Sequence, residues 1–367
     1  MYVIGEIGTS HGGDRCKARD LIQALAGAGA QCAKFQVVLA HEILHPASGL
    51  VPLPSGPVAL YQRFQALEQS PDFYAYLKEQ TEKAGLDFLA SPFGLQSARL
   101  LKDLGVRSYK VASPELNHRL LLEELASYQR PLILSSGVST LADIQRTLTH
   151  LRRLNGAANL TLLHCVTAYP APPQDYNLRV LRPLSQLLGV AVGVSDHSLD
   201  PILVPSLSVT AGAICIEKHV CLSRSDPGLD DPIALDPQGF SSMVSHIRQY
   251  ESLSPPEQLH AAFDQWGKIL VESVLGTGQK ELAPSEVDNY GRTNRSLHAL
   301  KDLKVGEALD WTNMAILRTE KVLRPGLDAW LYPQVLGARL HRGVESGQGI
   351  VWEDLLDLTN LNAQDGK

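Results

Sequence analysis

Cysteine is scarce in this chain and so is everything that would tie it to a membrane or a nucleic acid. Five cysteines among 367 residues (Cys16, Cys32, Cys165, Cys215 and Cys221) are odd in number and scattered. With no CxxC pair, neither a disulfide framework nor a zinc ribbon is supported. Cys32, Cys165 and Cys215 fall in apolar runs, where reduced cysteine packs as a small hydrophobe. No uncharged run approaches the ~20 residues of a membrane span. The opening MYVIGEIGTSHGG lacks a basic stretch followed by a long apolar one, so no signal peptide is expected and a cytoplasmic location is. A basic excess is missing too: the formal net charge is −6. That argues against nucleic-acid or anionic-membrane partners, yet a few local lysines suffice for a small anionic substrate. Neither a P-loop nor a GxGxxG fingerprint occurs, so nucleotide binding is not indicated.

What is present is a soluble-protein composition, 44% hydrophobic and 20% charged, able to bury a substantial core. Apolar, β-rich runs recur at Tyr2–Ile7, Cys32–Val37, Asp87–Ala90, Ser108–Val111, Pro131–Leu134, Leu160–Val166, Val190–Val194 and Ala213–Ile216. Helix-period segments lie between them, several ending in a glycine (Gly29, Gly85, Gly105) where a helix C-terminus is expected. Eight such alternations in about 250 residues predict a (β/α)8 TIM barrel; a doubly wound sheet is the runner-up, since pattern alone does not show closure. The stretch Leu39–Gln69, rich in Pro, Gly and Ser, reads as a long loop over the catalytic face. After about residue 252 the pattern changes. Residues 253–290 read as helix and linker, and 291–360 as a small α/β module suited to an accessory or lid role.

The stretch VAVGVSDHSLDPILVPSLSVTAGAICIEKH, residues 190–219, is the most informative. Two short apolar runs end in SDH and EKH, delivering His197 and His219 just past their carboxyl ends, the edge where parallel sheets bind ligands. Either histidine alone reads as a surface loop residue; two from adjacent strands suit a shared divalent metal acting as a Lewis acid. Every other predicted strand also ends in polar groups: Glu6, Lys34 and Gln36, Ser91 with Phe93, Lys110 with Ser113 and Glu115, Ser135 with Ser136, Thr167 with Tyr169, and Asp196 and Glu217 beside the histidines. Any one hydroxyl is more often part of a structural network. Eight such strand ends together are hard to explain by stability, because buried polar groups cost free energy. Lys34 and Lys110 with Ser113, Ser135 and Ser195 form a cradle for a phosphate and a carboxylate. A Schiff-base lysine is the competing role.

At these residues the sequence resembles the sialic acid (N-acylneuraminate) synthases, including spore-coat polysaccharide homologues. The phrases are IGEIGTSHGG, AGAQCAKFQ, ASPFG, YKVASPE, PLILSSGVSTLADI, LLHCVTAYPAPPQDYNL, VGVSDHS, IEKHV and DPGLDDPIALDP. The tail looks like that family's C-terminal antifreeze-like (SAF) domain. The resemblance implies condensation of phosphoenolpyruvate with the open-chain aldehyde of an N-acylated amino sugar, giving a nine-carbon 2-keto acid and phosphate. It implies a manganese or magnesium ion on His197 and His219, and phosphoenolpyruvate on Lys34, Lys110, Ser113, Ser135, Thr167 and Ser195. Glu6, Gln36, Phe93, Tyr169 and Asp230 would face the sugar or the attacking water, with Glu115 and Glu217 in support. It further implies a domain-swapped homodimer in which an arginine of the SAF domain reads the N-acyl group over the neighbour's barrel. Register points to Arg318, and the tripeptide Arg324–Pro325–Gly326 to Arg324. The alternatives are a class I lysine aldolase on the same barrel and a non-catalytic sugar-binding homologue.

Overall fold

The computed structural model describes residues 1–53, 56–154, 159–320 and 322–356. Chain order begins with β1 (Tyr2–Gly8) and β2 (Cys32–Val37), joined by a helix at Arg15–Ala28. That helix starts because the Asp14 carboxylate accepts from the amides of Cys16 and Lys17. It stops because Gly29 adopts a left-handed φ of 85°, turning the chain back towards the sheet. Its buried stripe, Ala18, Leu21, Ile22 and Leu25, packs on the strands.

The stretch expected to be a plain loop is structured. It holds a short helix at Ala40–Ile43, then a hairpin of β3 (Leu50–Leu53) and β4 (Gly56–Ala59), then a helix at Leu60–Ala66. Val38, Ile43, Leu44, Val51, Leu60 and Phe93 form a small apolar cluster beneath it. Burying those side chains gives the stretch a core of its own, which its Pro and Gly content concealed.

The six remaining barrel strands are β5 (Asp87–Pro92), β6 (Tyr109–Val111), β7 (Leu132–Ser135), β8 (Leu160–Cys165), β9 (Ala191–Asp196) and β10 (Cys215–His219). All ladders among the eight are parallel, in the order β5-β2-β1-β10-β9-β8-β7-β6. No ladder joins β5 to β6 among the described residues, so the sheet is a nearly closed (β/α)8 barrel with its seam there. Each of the eight apolar runs of the sequence forms one of these strands. The doubly wound alternative is excluded.

Two more helices, Pro255–Trp266 and Lys268–Leu275, follow the last barrel helix. Their Ala262, Val271, Val274 and Leu275 join the barrel's hydrophobic core, so this segment is fastened to the barrel. Beyond it lie β11 (Arg295–Ala299) and β12 (Met314–Arg318), an antiparallel pair. Their core is separate and includes Leu297, Leu309, Ile316, Val335, Leu340 and Ile350. The expected end of this unit, at 360, lies outside the described residues. The unit rests on its own chain's barrel: Asn117 bonds Arg295 and Asp328, Arg146 pairs with Asp328, and Tyr332 donates to Glu123.

Candidate active site

Strand register decides which side chains meet at the mouth. In β10, alternation sends Glu217 and His219 to one face and Lys218 to the other; in β9 it sets Ser195 against Asp196, with His197 just past the strand end. Glu217 lies opposite Ser195, and Glu6 of β1 opposite both His219 and Lys34. These strands approach closely at Gly193, where a Cβ would stand 2.4 Å from the Cys215 carbonyl oxygen. Only glycine fits there.

Inside the barrel, Glu217 sits between two lysines. Its carboxylate lies 3.5 Å from Lys34 Nζ and 3.8 Å from Lys110 Nζ, and accepts from Ser195 Oγ at 3.0 Å. Lys34 also contacts Glu6 at 2.8 Å, which accepts from Gln36 Nε2 at 2.9 Å. Lys110 donates to Ser135 Oγ at 2.7 Å. Burial opposes charge on Lys34, but Glu217 and Glu6 outweigh it and raise its pKa. At Lys110 burial dominates over the more distant Glu217, and its pKa is lowered. For Glu217 itself, burial favours the neutral acid, yet the two lysines hold its pKa down to about 2. The cluster is under-satisfied: Glu6 Oε2 has no hydrogen-bond partner, and Glu217 Oε2 is reached only by the Lys34 ion pair at 3.5 Å. Polar groups left so in a barrel mouth favour an incoming ligand.

Ser113 and Thr167 complete the cradle around Gly137, whose amide donates to Ser113 Oγ at 3.1 Å. A Cβ on Gly137 would lie 2.0 Å from Thr167 Oγ1 and 2.9 Å from Ser113 Oγ. The bare backbone leaves the hydroxyls clear.

Across the mouth, the His197 and His219 rings have centroids 5.7 Å apart. His197 Nδ1–H donates to the Val166 carbonyl at 2.8 Å, which turns Nε2 towards the mouth. A backbone carbonyl behind the ring is the usual support of a metal-binding histidine. Asp230 Oδ2 stands 3.9 Å from His219 Nδ1, and Tyr169 stacks on His197 at 4.3 Å. Among the described residues no three His, Cys, Asp or Glu side chains converge on one point. The pair fits a divalent ion that keeps open positions for water or substrate. Ser10 donates to Asp231 and so ties the first loop to the one carrying Asp230.

The arginines separate cleanly. Arg318, at the end of β12, donates to Glu115 Oε1 at 2.6 Å and lies 5.4 Å from the Phe93 ring centroid, at the mouth. Arg324 bonds the Gly349 carbonyl and pairs with Asp354 at 2.7 Å, inside the C-terminal unit. Of these two candidates, Arg318 is the one brought to the residues of the site.

Sequence reasoning missed Arg295. It is directly opposite Arg318 in the β11–β12 ladder, an arrangement of like charges that is destabilising unless an anion is shared. Glu115 is that anion: Oε1 accepts from both guanidinium groups. Arg295 also donates to the carbonyls of Glu42 and Phe93, joining three barrel loops to β11. An arginine heading the apolar run RSLHAL was its only trace in the sequence.

Known proteins align with these features along nearly their whole length. Residues 21–256 match the NeuB family. The chain is 31% identical to the spore coat polysaccharide biosynthesis protein SpsE of Bacillus subtilis, over 97% of this chain and 94% of that one. It is 29% identical to the N,N'-diacetyllegionaminic acid synthase of Legionella pneumophila, over 96% and 94%. The crystal structure of B. subtilis SpsE superposes with a TM-score of 0.82 at 30% identity, covering 97% of this chain and 95% of that one. By sequence and by fold, this chain belongs to the NeuB family.

Proposed function

We propose that this protein condenses phosphoenolpyruvate with the open-chain aldehyde of an N-acylated amino sugar, releasing phosphate and a nine-carbon 2-keto acid of the sialic acid type. The observation that carries this is the buried pair Lys34 and Lys110 about Glu217, ringed by Ser113, Ser135, Thr167 and Ser195 and facing two histidines. Two cations with hydroxyls suit a phosphate and a carboxylate on one small molecule. The names of relatives, synthases of legionaminic, pseudaminic and neuraminic acids, support the same chemistry.

In this reading Lys34 and Lys110 hold phosphoenolpyruvate by its charges while the hydroxyls fix its orientation. Its C2=C3 π electrons form the bond from C3 to the sugar aldehyde carbon, whose C=O π bond opens to an alkoxide. Water adds at the cationic C2 and loses a proton to Glu6, one oxygen of which has no hydrogen-bond partner, and that proton passes to the alkoxide. The C2–O bond to phosphate then breaks as the C2 hydroxyl gives up its proton to the departing phosphate and the ketone forms. A manganese or magnesium ion on His197 and His219 would polarise the aldehyde oxygen. Tyr169, Gln36, Asp230 and Phe93 line the sugar's side, and Arg318, braced by Glu115, reads the N-acyl group. Holding two substrates together contributes up to ~7–11 kcal/mol to the barrier reduction.

The division of labour is a catalytic barrel at 1–252, a fastening segment at 253–290 and an SAF-type module at 291–360. A swapped homodimer would make the contacts of Arg295 and Arg318 between chains, and sedimentation of the intact protein distinguishes the two arrangements. No helix among the described residues is long and apolar enough to cross a membrane, and the five cysteines are free, as a reducing cytoplasm would keep them.

The test is phosphate release with phosphoenolpyruvate and a panel of aldoses: N-acetylmannosamine, its 6-phosphate and diacetamido hexoses. Release with at least one aldose, and none without, is expected. The lowered pKa of Lys110 is what favours a lysine-nucleophile reading. Borohydride trapping of substrate on Lys110 would replace the proposed reaction with that one.

A further inference from the structure

The segment between the barrel and the C-terminal unit does more than connect them. Glu286, only 1% exposed, reaches the barrel mouth from outside the barrel sequence. Its Oε1 accepts from the Val138 amide at 2.8 Å and from the Thr167 amide at 2.7 Å. Its Oε2 accepts from the Ala283 amide at 3.3 Å, which secures the side chain to its own turn. Two neighbouring asparagines take the opposite ends of the same two residues. Asn294 Nδ2 donates to the Val138 carbonyl at 3.0 Å, and Asn289 Nδ2 to the Thr167 carbonyl at 3.1 Å.

Val138 and Thr167 are thus gripped at both N–H and C=O by one segment of chain. They stand on consecutive strand-end loops, after β7 and β8. Val138 needs the grip, because its φ of 44° is a left-handed conformation that a β-branched residue adopts only under constraint. The loops so held carry Ser135, Gly137 and Thr167, half of the hydroxyl cradle beside Lys110.

We propose that Glu286 is a positioning residue which clamps these two loops in the geometry that receives the phosphate end of the substrate. The inference rests on the proposed phosphoenolpyruvate reaction for its kinetic readout, but not for its structural one. A carboxylate suits the task because one oxygen accepts two amides at charge-assisted strength. Backbone carbonyls, by contrast, would have to come from a third loop. The asparagines make the clamp specific to register, since each fixes the peptide flanking the one Glu286 holds.

The test is the full-length Glu286→Ala variant, with Asn289→Ala plus Asn294→Ala as a milder second variant. Misplacing the cradle predicts a rise of about 10–100-fold in KM for phosphoenolpyruvate. The KM for the aldehyde, bound on the histidine side, should stay within about twofold, an asymmetry that general loosening would not produce. Glu286→Gln keeps one oxygen for the two amides and should recover part of the loss. Hydrogen exchange of peptides spanning 136–140 and 166–168 should accelerate in both alanine variants. Equal increases in both KM values, or unchanged exchange at these peptides, would overturn the proposal. If the wild-type protein releases no phosphate with any aldehyde, the reaction is wrong but the clamp is still judged by exchange. Inorganic phosphate titrated by calorimetry gives the second readout, expected to weaken at least about tenfold in Glu286→Ala; unchanged affinity contradicts the clamp.

Discussion

Two carboxylate–lysine clusters share strands β9 and β10 yet face opposite ways. Asp196 and Lys218 point out towards the helices, and Glu217, with Lys34 and Lys110, points in. Both are buried, but they differ in completeness. Lys218 Nζ lies 2.7 Å from Asp196 Oδ2 and also donates to the Ser198 carbonyl. Asp196 Oδ1 accepts from Tyr176 Oη at 2.7 Å and from the Ser198 amide at 2.8 Å. Tyr176 Oη in turn accepts from the His197 amide at 2.6 Å. Every polar atom of this outer pair is used, and the product is a fixed loop behind His197. The inner cluster is unfinished: one Glu6 oxygen has no hydrogen-bond partner, one Glu217 oxygen has only Lys34 at 3.5 Å, and burial has lowered the pKa of Lys110. A saturated cluster is a strut; an unsaturated one of the same chemistry is a receptor.

Breaking the strut should have the largest effect. Lys218→Met leaves Asp196 charged, buried and unpaired, and should cost about 3–5 kcal/mol of folding stability in urea titration. The inner counterpart, Lys110→Met, should behave in the opposite way. It should lower kcat/KM for phosphoenolpyruvate by about 10²–10³-fold, while the urea midpoint holds or rises. A Lys110 variant as destabilised as Lys218→Met would erase the distinction.

The pH dependence of stability sharpens the same comparison. Lys110 is less willing to hold its proton in the fold than in the unfolded chain, because burial lowers its pKa from 10.5. Its charge therefore costs stability at neutral pH. That cost is relieved as pH rises through the folded pKa towards 10.5. Wild-type stability should gain an upward component over that window that Lys110→Met lacks, read from urea midpoints at pH 7 to 10. Identical slopes would mean the amine is not held charged against its surroundings.

Chelation should act on the histidine side alone. Excess EDTA should lower turnover about 100-fold or more, with manganese restoring it, and full activity in EDTA would remove the metal from the account. Smallest is the arginine pair. Arg318→Lys keeps the charge but loses the planar fork, so the aldehyde KM should rise about tenfold, worth ~1.4 kcal/mol. Arg324→Lys should leave it unchanged.

The inward half of this site was legible because strand alternation and strand ends are local properties. Once the eight apolar runs were placed, Glu6, Lys34, Lys110, Ser195, Glu217 and both histidines had to share one mouth. In the sequence Asp196 stands beside the histidines as one more polar strand end, and only register turns it, with Lys218, outwards. Glu286 and Arg295 were not legible, since their partners on the barrel lie 119 to 253 residues away. Nothing in a run such as PSEVDNYG says that its glutamate will cap two amides of a distant barrel. The pairing of β3 with β4 was hidden for a different reason: the Pro and Gly content of the stretch imitates an open loop, and the burial of Val51 depends on the cluster with Phe93.

The central claim is that phosphoenolpyruvate bound by the inner cluster is joined to a sugar aldehyde and loses phosphate by cleavage of its C2–O bond. The most direct measurement is turnover in ¹⁸O-water with phosphoenolpyruvate and the best aldose of the panel, with the released phosphate analysed by mass spectrometry. Phosphate free of label, formed in equal amount with the 2-keto acid and only when the aldose is present, is the predicted result. Labelled phosphate, or phosphate released without the aldose, would contradict it.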